Sequence, residues 1–167
     1  MGTDDTERMH GVSMSSTEID SFLHKQGHAI LSVANSGDAY AVPVSFGYDG
    51  DVIFLYLIQF DGQSKKLEFS AGTGIVCLTT YDVKNRSEWE CVLVYGTLEP
   101  VPESEYDYMD NIMDDNAWFP SFHPPDWPIT EVRRTMLSID SISDVIGHRS
   151  RTCPLAVQDV VKPADSS

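Results

Sequence analysis

Segments of alternating or continuous apolar residues, separated by tight-turn signals, occupy the first half of this chain. One segment ends at Asn35-Ser36-Gly37-Asp38 and the next ends at Asp49-Gly50. A pair such as Asp-Gly between two apolar runs favours a β-hairpin, because its residues accept the backbone angles of a tight turn. The chain is therefore predicted to begin as an antiparallel meander, which points to a barrel or a sandwich.

Six strands are predicted along the whole sequence, with short helices between them. Gly96 interrupts the longest strand and indicates a bulge or a close backbone approach at that position. A closed barrel is the favoured arrangement, because closure leaves no exposed strand edge. The predicted strands cover residues 28–34, 39–48, 51–58, 74–81, 88–101 and 135–146.

Three helices are predicted, and the first has the clearest boundaries. Ser15 and Glu18 have the spacing of a capping box, and Gly27 is placed to close the helix. The other two helices cover residues 63–71 and the acidic stretch 103–115, in which an apolar stripe is expected to face the barrel. This stripe consists of Tyr106, Met109 and Met113.

The segment 118–128 differs from the rest, because it combines aromatic residues with frequent prolines that exclude regular structure. Exposed aromatic loops often form walls of binding sites. The segment is interpreted either as a loop over the substrate side of a site or as a packed surface loop or dimer contact. Its candidate substrate contacts are Trp118, Phe122 and Trp127.

One folded domain is predicted for residues 15–149, between a disordered tail of residues 1–14 and a loose tail of residues 150–167. No stretch approaches the ~18 apolar residues of a membrane helix. No apolar signal core occurs near the N-terminus. A cytoplasmic protein without a membrane partner is therefore expected.

Acidic residues outnumber basic residues by 26 to 11, which gives a formal net charge of −15. Such a surface repels nucleic acid and anionic lipid, so neither is expected as a partner. The abundance of Asp and the scarcity of Lys are typical of halophilic proteins, in which about 1 M salt screens the repulsion. An ordinary acidic protein is the alternative interpretation.

The three cysteines, Cys77, Cys91 and Cys153, include no Cys-x-x-Cys pair. They indicate neither a disulfide framework nor a zinc site, and no metal is predicted. Cys77 and Cys91 lie inside apolar runs and are expected to pack in the core. The histidines also lack metal-ligand spacing and are interpreted as structural or solvent-facing; they include His28, His123 and His148.

Four stretches stand in a recognisable order: AVPVSFGYDGD at 41–51 running into IFL at 53–55; GQSKKL at 62–67 with GIVCL at 74–78; WECVLVYGTLEPV at 89–101; and a closing strand through IGH at 146–148. In this order they resemble the FMN-binding split-barrel superfamily, and within it the pyridoxamine-phosphate-oxidase-like and nitroimidazole-reductase-like proteins. The resemblance implies a mainly β fold: a six-stranded antiparallel split β-barrel of Greek-key type with short flanking helices. It also implies a homodimer with FMN at the interface.

The resemblance implies a cofactor site in two parts. One part would lie beside the planar ring, and the lysines of the second stretch would hold the phosphate. Cys91 stands where the family often has a small hydroxyl residue, which changes one expected polar contact. The candidate cofactor contacts are Pro43, Val44, Ser45, Phe46, Ser64, Lys65, Lys66 and Cys91.

Two of these assignments can also be argued from the residues alone. Lys65 and Lys66 are adjacent lysines in a lysine-poor chain and open a predicted helix, whose N-terminus favours phosphate. A solvated helix face is the alternative. Pro43 is consistent with a strand edge or bulge, because proline cannot donate to a ladder. For Val44 and Phe46, plain barrel core is the favoured interpretation.

The predicted function is that of an FMN-dependent oxidoreductase with an unknown substrate and a reduced nicotinamide as the candidate electron donor. No catalytic residue is assigned. Arg133, next to Arg134, is a candidate for attracting an anionic substrate or for pairing with acidic neighbours. A homodimer is expected to cover apolar strand faces such as those of Val92 and Val94. The alternatives are a deazaflavin- or haem-binding split barrel and a non-enzymatic flavin-binding protein.

Overall fold

The computed structural model describes residues 11–60, 74–85, 88–116 and 128–148. Along the chain the strands are β1 (Gly11–Val12), β2 (His28–Asn35), β3 (Asp38–Tyr48), β4 (Val52–Phe60), β5 (Ile75–Asn85), β6 (Glu88–Pro100) and β7 (Ile129–His148). They form one sheet in the order β1-β7-β4-β3-β2-β5-β6, and β6 also pairs with β7. This last pairing closes β2 to β7 into the predicted six-stranded antiparallel barrel.

The barrel core follows from the alternation of side chains along each strand. Leu31, Leu55 and Leu78 point inward from three different strands and are at most 1% exposed. Val92 and Val94 are also fully buried in this core, so the expectation that a partner covers them is wrong. The residues between and beside them on β6 face outward instead.

Two helices flank the barrel: α1 (Ser16–Gln26) and α2 (Tyr106–Asn116), the latter preceded by a 3₁₀ turn at Glu103–Glu105. The capping box of Ser15 with Glu18 is present, and Gly27 closes α1 with a φ of 64°. Both features confirm the sequence prediction. Phe22 and Leu23 of α1 belong to the barrel core cluster.

The second helix explains why β4 is apolar on both faces. Leu55 and its alternate neighbours fill the barrel, whereas Phe54 faces outward and packs against Met109 and Met113 of α2. Gly47 on the neighbouring β3 allows this packing, because a Cβ there would lie 3.0 Å from the Ile112 side chain. The predicted stripe of α2 is therefore confirmed.

Most strand boundaries agree with the prediction to within two residues, and the larger differences are at the start of β7, at the end of β5 and in an additional short strand, β1. β7 begins at Ile129 rather than at residue 135, because β4 supplies partners for its first residues, up to the pair of Phe60 with Ile129. β5 continues to Asn85 because β6 pairs with it. Gly11–Val12 pairs with β7 although it lies in the range predicted as a tail. In each case the strand forms where a neighbouring strand offers hydrogen bonds, although the local sequence is polar or short.

The predicted bulge at Gly96 is confirmed by a register shift between Tyr95 and Gly96 in the pairing of β6 with β7. The predicted helix 63–71 and residues 118–127 of the aromatic segment lie outside the described residues. Neither α1 nor α2 is long and apolar enough to cross a membrane, and the described part of the chain contains no other such helix.

Candidate functional site

β3 and β4 separate part of the way along the barrel. Among the described residues they pair only where Phe46, Gly47 and Tyr48 face residues 53–55. β3 nevertheless continues to Asp38, paired with β2 over its whole length. The barrel wall is therefore split beside residues 38–45, at the end opposite α1.

Backbone geometry determines which way the groups of β3 point at this split. The Phe46 N–H donates to the Gly27 carbonyl on the β2 side, at 2.9 Å. Directions alternate along a strand, so the main-chain groups of Pro43 and Ser45 point away from β2, towards the split. Pro43 therefore loses no hydrogen bond to β2 through its missing N–H. This position is the strand edge that the proline suggested.

The outward side chains of four neighbouring strands form one continuous surface. Its central row runs across the sheet through Pro43, Ile30, Thr79 and Leu93, which are successive Cα partners. Parallel rows lie on either side. We call these residues the open face: Ala41, Pro43 and Ser45 of β3; His28, Ile30 and Ser32 of β2; Cys77, Thr79 and Tyr81 of β5; and Cys91, Leu93 and Tyr95 of β6.

The open face carries no Asp, Glu, Lys or Arg, although such residues make up 22% of the chain. Burial raises the pKa of the Cys91 thiol. Burial and a hydrogen bond with Cys77 raise the pKa of Tyr95. These thiol and phenol groups therefore stay neutral at neutral pH. A surface without charge in so acidic a protein favours contact with a neutral partner or ligand.

The two cysteines of the open face correct a sequence prediction. Cys77 and Cys91 are both half-exposed rather than packed in the core. Their strands alternate between the barrel interior and the open face, and the interior positions belong to residues such as Leu78 and Val92. The assignment of both cysteines to the core was wrong because β5 and β6 are apolar on both faces, so an apolar run does not indicate which of its residues point inward.

The candidate cofactor contacts divide between two surfaces. Ser45 and Cys91 lie on the open face, in the row nearest α1, and Pro43 lies in the central row. Phe46 is fully buried in the barrel, and Val44 packs against the same core. The side chains of Phe46 and Val44 therefore point away from the open face, as the core interpretation of these two residues expected.

Beyond the split, β4 and β7 continue together as a two-stranded ribbon. Its last pair is Phe60 with Ile129. Residues 61–73, which contain Ser64, Lys65 and Lys66, follow Phe60 directly, and residues 117–127 end just before Pro128. The described structure therefore anchors both candidate segments at the same end of one ribbon. The site residues outside the described ranges are Ser64, Lys65, Lys66, Trp118, Phe122 and Trp127.

Arg133 and Arg134 lie on this ribbon and pair with acidic neighbours. The Arg133 side chain is 45% exposed and contacts Glu131 at 2.5 Å. Arg134 binds Asp110 of α2 through two nitrogen atoms, at 3.1 and 3.0 Å. Arg134 thus fixes α2 to the barrel, whereas Arg133 is exposed near the anchored segments.

Sequence reasoning named only Pro43, Ser45 and Cys91 among the twelve residues of the open face, and it missed the other nine, which include His28 and Tyr81. His28 is the Cα partner of Ser45, and Tyr81 is that of Cys91. The β2–β5 register, in which Ile30 pairs with Thr79, brings His28 beside Tyr81 when it is continued by two residues, so both residues lie between Ser45 and Cys91. The available signal was the alternation of side chains along β2. Ala29, Leu31 and Val33 are apolar and point inward, so His28, which precedes Ala29, is expected to point outward.

The residues of the open face fit an uncharged ring with polar edges, because apolar side chains alternate there with hydroxyls and thiols. They do not fit a phosphate, for which the described part of this face offers no cation. Among the described residues, no group of three or more His, Cys, Asp or Glu is arranged to hold a metal ion.

A closed antiparallel barrel with one separated strand pair defines the class of split-barrel proteins. A family model described as pyridoxamine 5'-phosphate oxidase matches residues 15–143. The chain therefore belongs to the pyridoxamine 5'-phosphate oxidase-like family, which confirms the resemblance. No curated protein sequence matches the chain.

Solved structures with the same fold include several flavoproteins. An FAD-binding protein from Mesorhizobium loti has a TM-score of 0.65 at 18% identity, covering 83% of this chain and 99% of its own. A candidate 5-nitroimidazole antibiotic resistance protein from Bacteroides thetaiotaomicron has a TM-score of 0.61 at 17% identity, covering 87% and 96%. An FAD and haem binding protein from Mycobacterium smegmatis has a TM-score of 0.60 at 18% identity, covering 87% and 76%. At these identities the similarity is one of fold.

Proposed function

We propose that this protein binds FMN with the ring of the flavin against the open face, and that it acts as a flavin-dependent oxidoreductase. The observation that carries the proposal is the shared position of Ser45 and Cys91, two candidate ring contacts, in one row of an uncharged surface. Three strand spacings separate their strands, about 14 Å in all. A tricyclic ring can lie along such a row.

The phosphate end of the ligand is proposed to lie beyond the β4–β7 ribbon. Covalent geometry keeps Ser64 within about 14 Å of Phe60 and Trp127 within about 7 Å of Ile129. Because Phe60 and Ile129 are partners, the start of the lysine segment and the end of the aromatic segment are held close together. This proximity supports Lys65 and Lys66 as phosphate contacts and Trp127 as a substrate-side contact. Trp118 and Phe122, earlier in the same segment, are proposed as substrate-side contacts with it. Arg133, exposed on the same ribbon, is proposed to attract an anionic substrate.

A homodimer is part of the proposal, because one open face covers only one side of a ring. Tyr81 of the open face is 55% exposed, and exposed apolar residues extend this surface along β5 on either side of it: Ile75 is 66% exposed and Val83 60%. A second copy of the chain, with the same uncharged surface, can cover these residues and enclose the flavin.

The redox chemistry would come from the flavin, and the protein would supply binding, orientation and a low dielectric. A reduced nicotinamide is the proposed electron donor. Two alternatives remain: a haem- or deazaflavin-binding split barrel, and a flavin-binding protein without an enzymatic role. The haem alternative is favoured by one observation, since a solved structure of the same fold is a FAD and haem binding protein.

The test is a parallel titration of the purified protein with FMN, FAD, riboflavin and haemin, followed by absorbance and native mass spectrometry. The proposal expects a flavin band at about 450 nm and a dimer that carries flavin. A Soret band without flavin binding would support the haem alternative. Flavin binding without oxidation of NADH or NADPH by any acceptor would support the non-enzymatic one.

A further inference from the structure

The end of the open face next to Tyr81 continues into a further apolar pair, Val83 of β5 and Trp89 of β6. These two residues are Cα partners, and the alternation along their strands places them on the same side of the sheet as Tyr81. Val83 is 60% exposed, and Trp89 is half-buried. The next positions in this row are Gly147 of β7 and Gly11 of β1. Because glycine raises no side chain above the sheet, the row leaves room for a peptide segment beside the apolar pair.

The chain leaves the described structure close to this pair. His148 is the last residue of β7 and the Cα partner of Glu88, which precedes Trp89. β7 and β5 lie on either side of β6 and are therefore two strand spacings apart, about 10 Å. The five residues that follow His148 can span up to ~17 Å. They are long enough to bring the next residues of the chain over Val83.

Residues 149–162 differ from the rest of the chain in charge. Their sequence, RSRTCPLAVQDVVK, contains three of the 11 basic residues and one acidic residue, so the segment carries a net charge of +2. The rest of the chain then carries −17. A basic segment is attracted to so acidic a body, which favours contact with the barrel over extension into solvent.

The same segment also offers an apolar side. Leu155 and Val157 are separated by one residue, so they point to the same side when the segment is extended. A second copy of the chain is the other candidate to cover Val83. The segment is favoured over a second copy at this end of the sheet, because residue 149 is held there by the strand that it follows.

We propose that residues 153–157 dock on Val83 and Trp89 of the same copy, with Leu155 and Val157 packed on these two side chains. The docked segment then forms one end of the open face, beside the row that joins Ser45 to Cys91. The remainder of that face stays available to a second copy. Docking requires no flavin, so it does not depend on the proposed function.

The experiment follows disulfide formation between Cys153 and a cysteine introduced into the full-length protein. The test variant is Val83→Cys and the matched control is Lys84→Cys, each with Cys77→Ser so that peptide mapping identifies the linked pair. Lys84 is the neighbouring residue of β5, its side chain is 56% exposed, and it pairs with Glu88 at 3.1 Å. Glu88 and Trp89 are adjacent in β6 and point to opposite faces, so Lys84 reports on the face away from the proposed contact.

The Val83→Cys variant is expected to form the disulfide at least ~tenfold faster than the Lys84→Cys variant, because docking raises the effective concentration of the Cys153 thiol on one face only. Each rate is normalised by the reaction of the introduced thiol with a small aromatic disulfide. Adding Leu155→Asp and Val157→Asp is expected to make the two rates equal, because the apolar contact is lost while the reach of the segment is unchanged. Circular dichroism verifies that the variants are folded.

Equal rates at positions 83 and 84 without these additions are the result of a loose tail, and they overturn the inference. Oxidation of a mixture of isotope-labelled and unlabelled protein shows whether each disulfide lies within one chain. A disulfide that joins two chains overturns the inference in favour of a second copy. The experiment contains no flavin, so its failure leaves the proposed function in place, and a protein that binds no flavin can still show the docked segment.

Discussion

Arg134 and Asp110 form a two-point ion pair, with Nε and Nη2 of the arginine 3.1 and 3.0 Å from the two carboxylate oxygens. The pair joins β7 to α2. The guanidinium also lies over the ring of Tyr106, 4.5 Å from its centroid. The Tyr56 hydroxyl donates to the same carboxylate, and burial raises the pKa of Tyr56 to about 12. One carboxylate therefore joins the helix to two strands.

The first prediction concerns this pair. Asp110→Asn is expected to lower the free energy of unfolding by about 1 kcal/mol, because the side chains are 32% and 40% exposed and solvent weakens the pair. The measurement is urea denaturation of the parent and the variant. Asp114→Asn is a control on the same helix and is expected to change stability by less than about 0.5 kcal/mol.

The difference in free energy of unfolding between the parent and Asp110→Asn is expected to depend on pH. Hydrogen bonds from Arg134 and Tyr56 lower the pKa of Asp110 in the folded state. The stabilisation is therefore fully present above the ordinary carboxyl pKa of about 4, and it is lost as the pH falls through the lower folded-state value. Parent and variant are expected to converge in stability in acid. A difference that persists unchanged at acid pH contradicts this assignment.

The second prediction concerns the bulge between β6 and β7. A Cβ on Gly96 would lie 2.0 Å from the Ser138 carbonyl oxygen, which is backbone and cannot turn aside. Gly96→Ala is therefore expected to destabilise the protein by about 3 kcal/mol. Gly74→Ala is the control, because a Cβ at Gly74 meets nothing within 4 Å. Equal melting temperatures for the two variants would mean that the strands separate here at little cost.

The third prediction tests the phosphate contacts of the proposed site. Replacing both Lys65 and Lys66 by Gln is expected to weaken FMN binding about a hundredfold, since each charge-assisted bond contributes roughly 1.5–3 kcal/mol. The loss for riboflavin should be smaller. Lys25 and Lys84 are the control pair, because they contact Asp82 and Glu88 instead. Unchanged FMN affinity in the Lys65/Lys66 variant would remove both lysines from the site.

The fourth prediction tests the proposed dimer surface. Ile75→Glu introduces a charge at a 66% exposed position beside the open face. Burying that charge without a partner is costly, so the dimer dissociation constant is expected to rise at least tenfold. Val132→Glu, at a 44% exposed position on the ribbon, is the control. Analytical ultracentrifugation of both variants measures the effect, and a parent protein that stays monomeric with bound flavin refutes the dimer.

The fifth prediction follows from the net charge of −15. Removing salt leaves the repulsion between acidic groups unscreened, so the folded state is expected to weaken. The melting temperature should rise by several degrees between low salt and about 2 M KCl, where the Debye length falls below 3 Å. A melting temperature that does not change with salt would contradict the halophilic interpretation, but it would not contradict the fold assignment.

The sequence predicted most of the architecture because its signals are local. The capping box of Ser15, the turn at Asp49-Gly50 and the interruption at Gly96 each depend on a few neighbouring residues, and each is present. The start of β7 could not be found in this way. Residues 129–134 are mostly polar, and they form a strand because β4 lies beside them.

The candidate site was harder to predict, because it depends on which face of each strand turns outward. The period of two was clear in β2, where it assigns His28 to the outside. It was hidden in β5 and β6, which are apolar on both faces, so Cys77 and Cys91 were assigned to the core. Only the register between strands places His28, Tyr81 and Cys91 in one row.

Pro43 has a consequence for the behaviour of the protein in solution. A separated strand offers backbone groups that a foreign strand can use to extend the sheet, which is a common route to aggregation. The nitrogen of Pro43 points towards the split and carries no hydrogen, so an incoming strand meets a missing donor in the middle of this edge. Pro43 therefore hinders unwanted strand addition at the split.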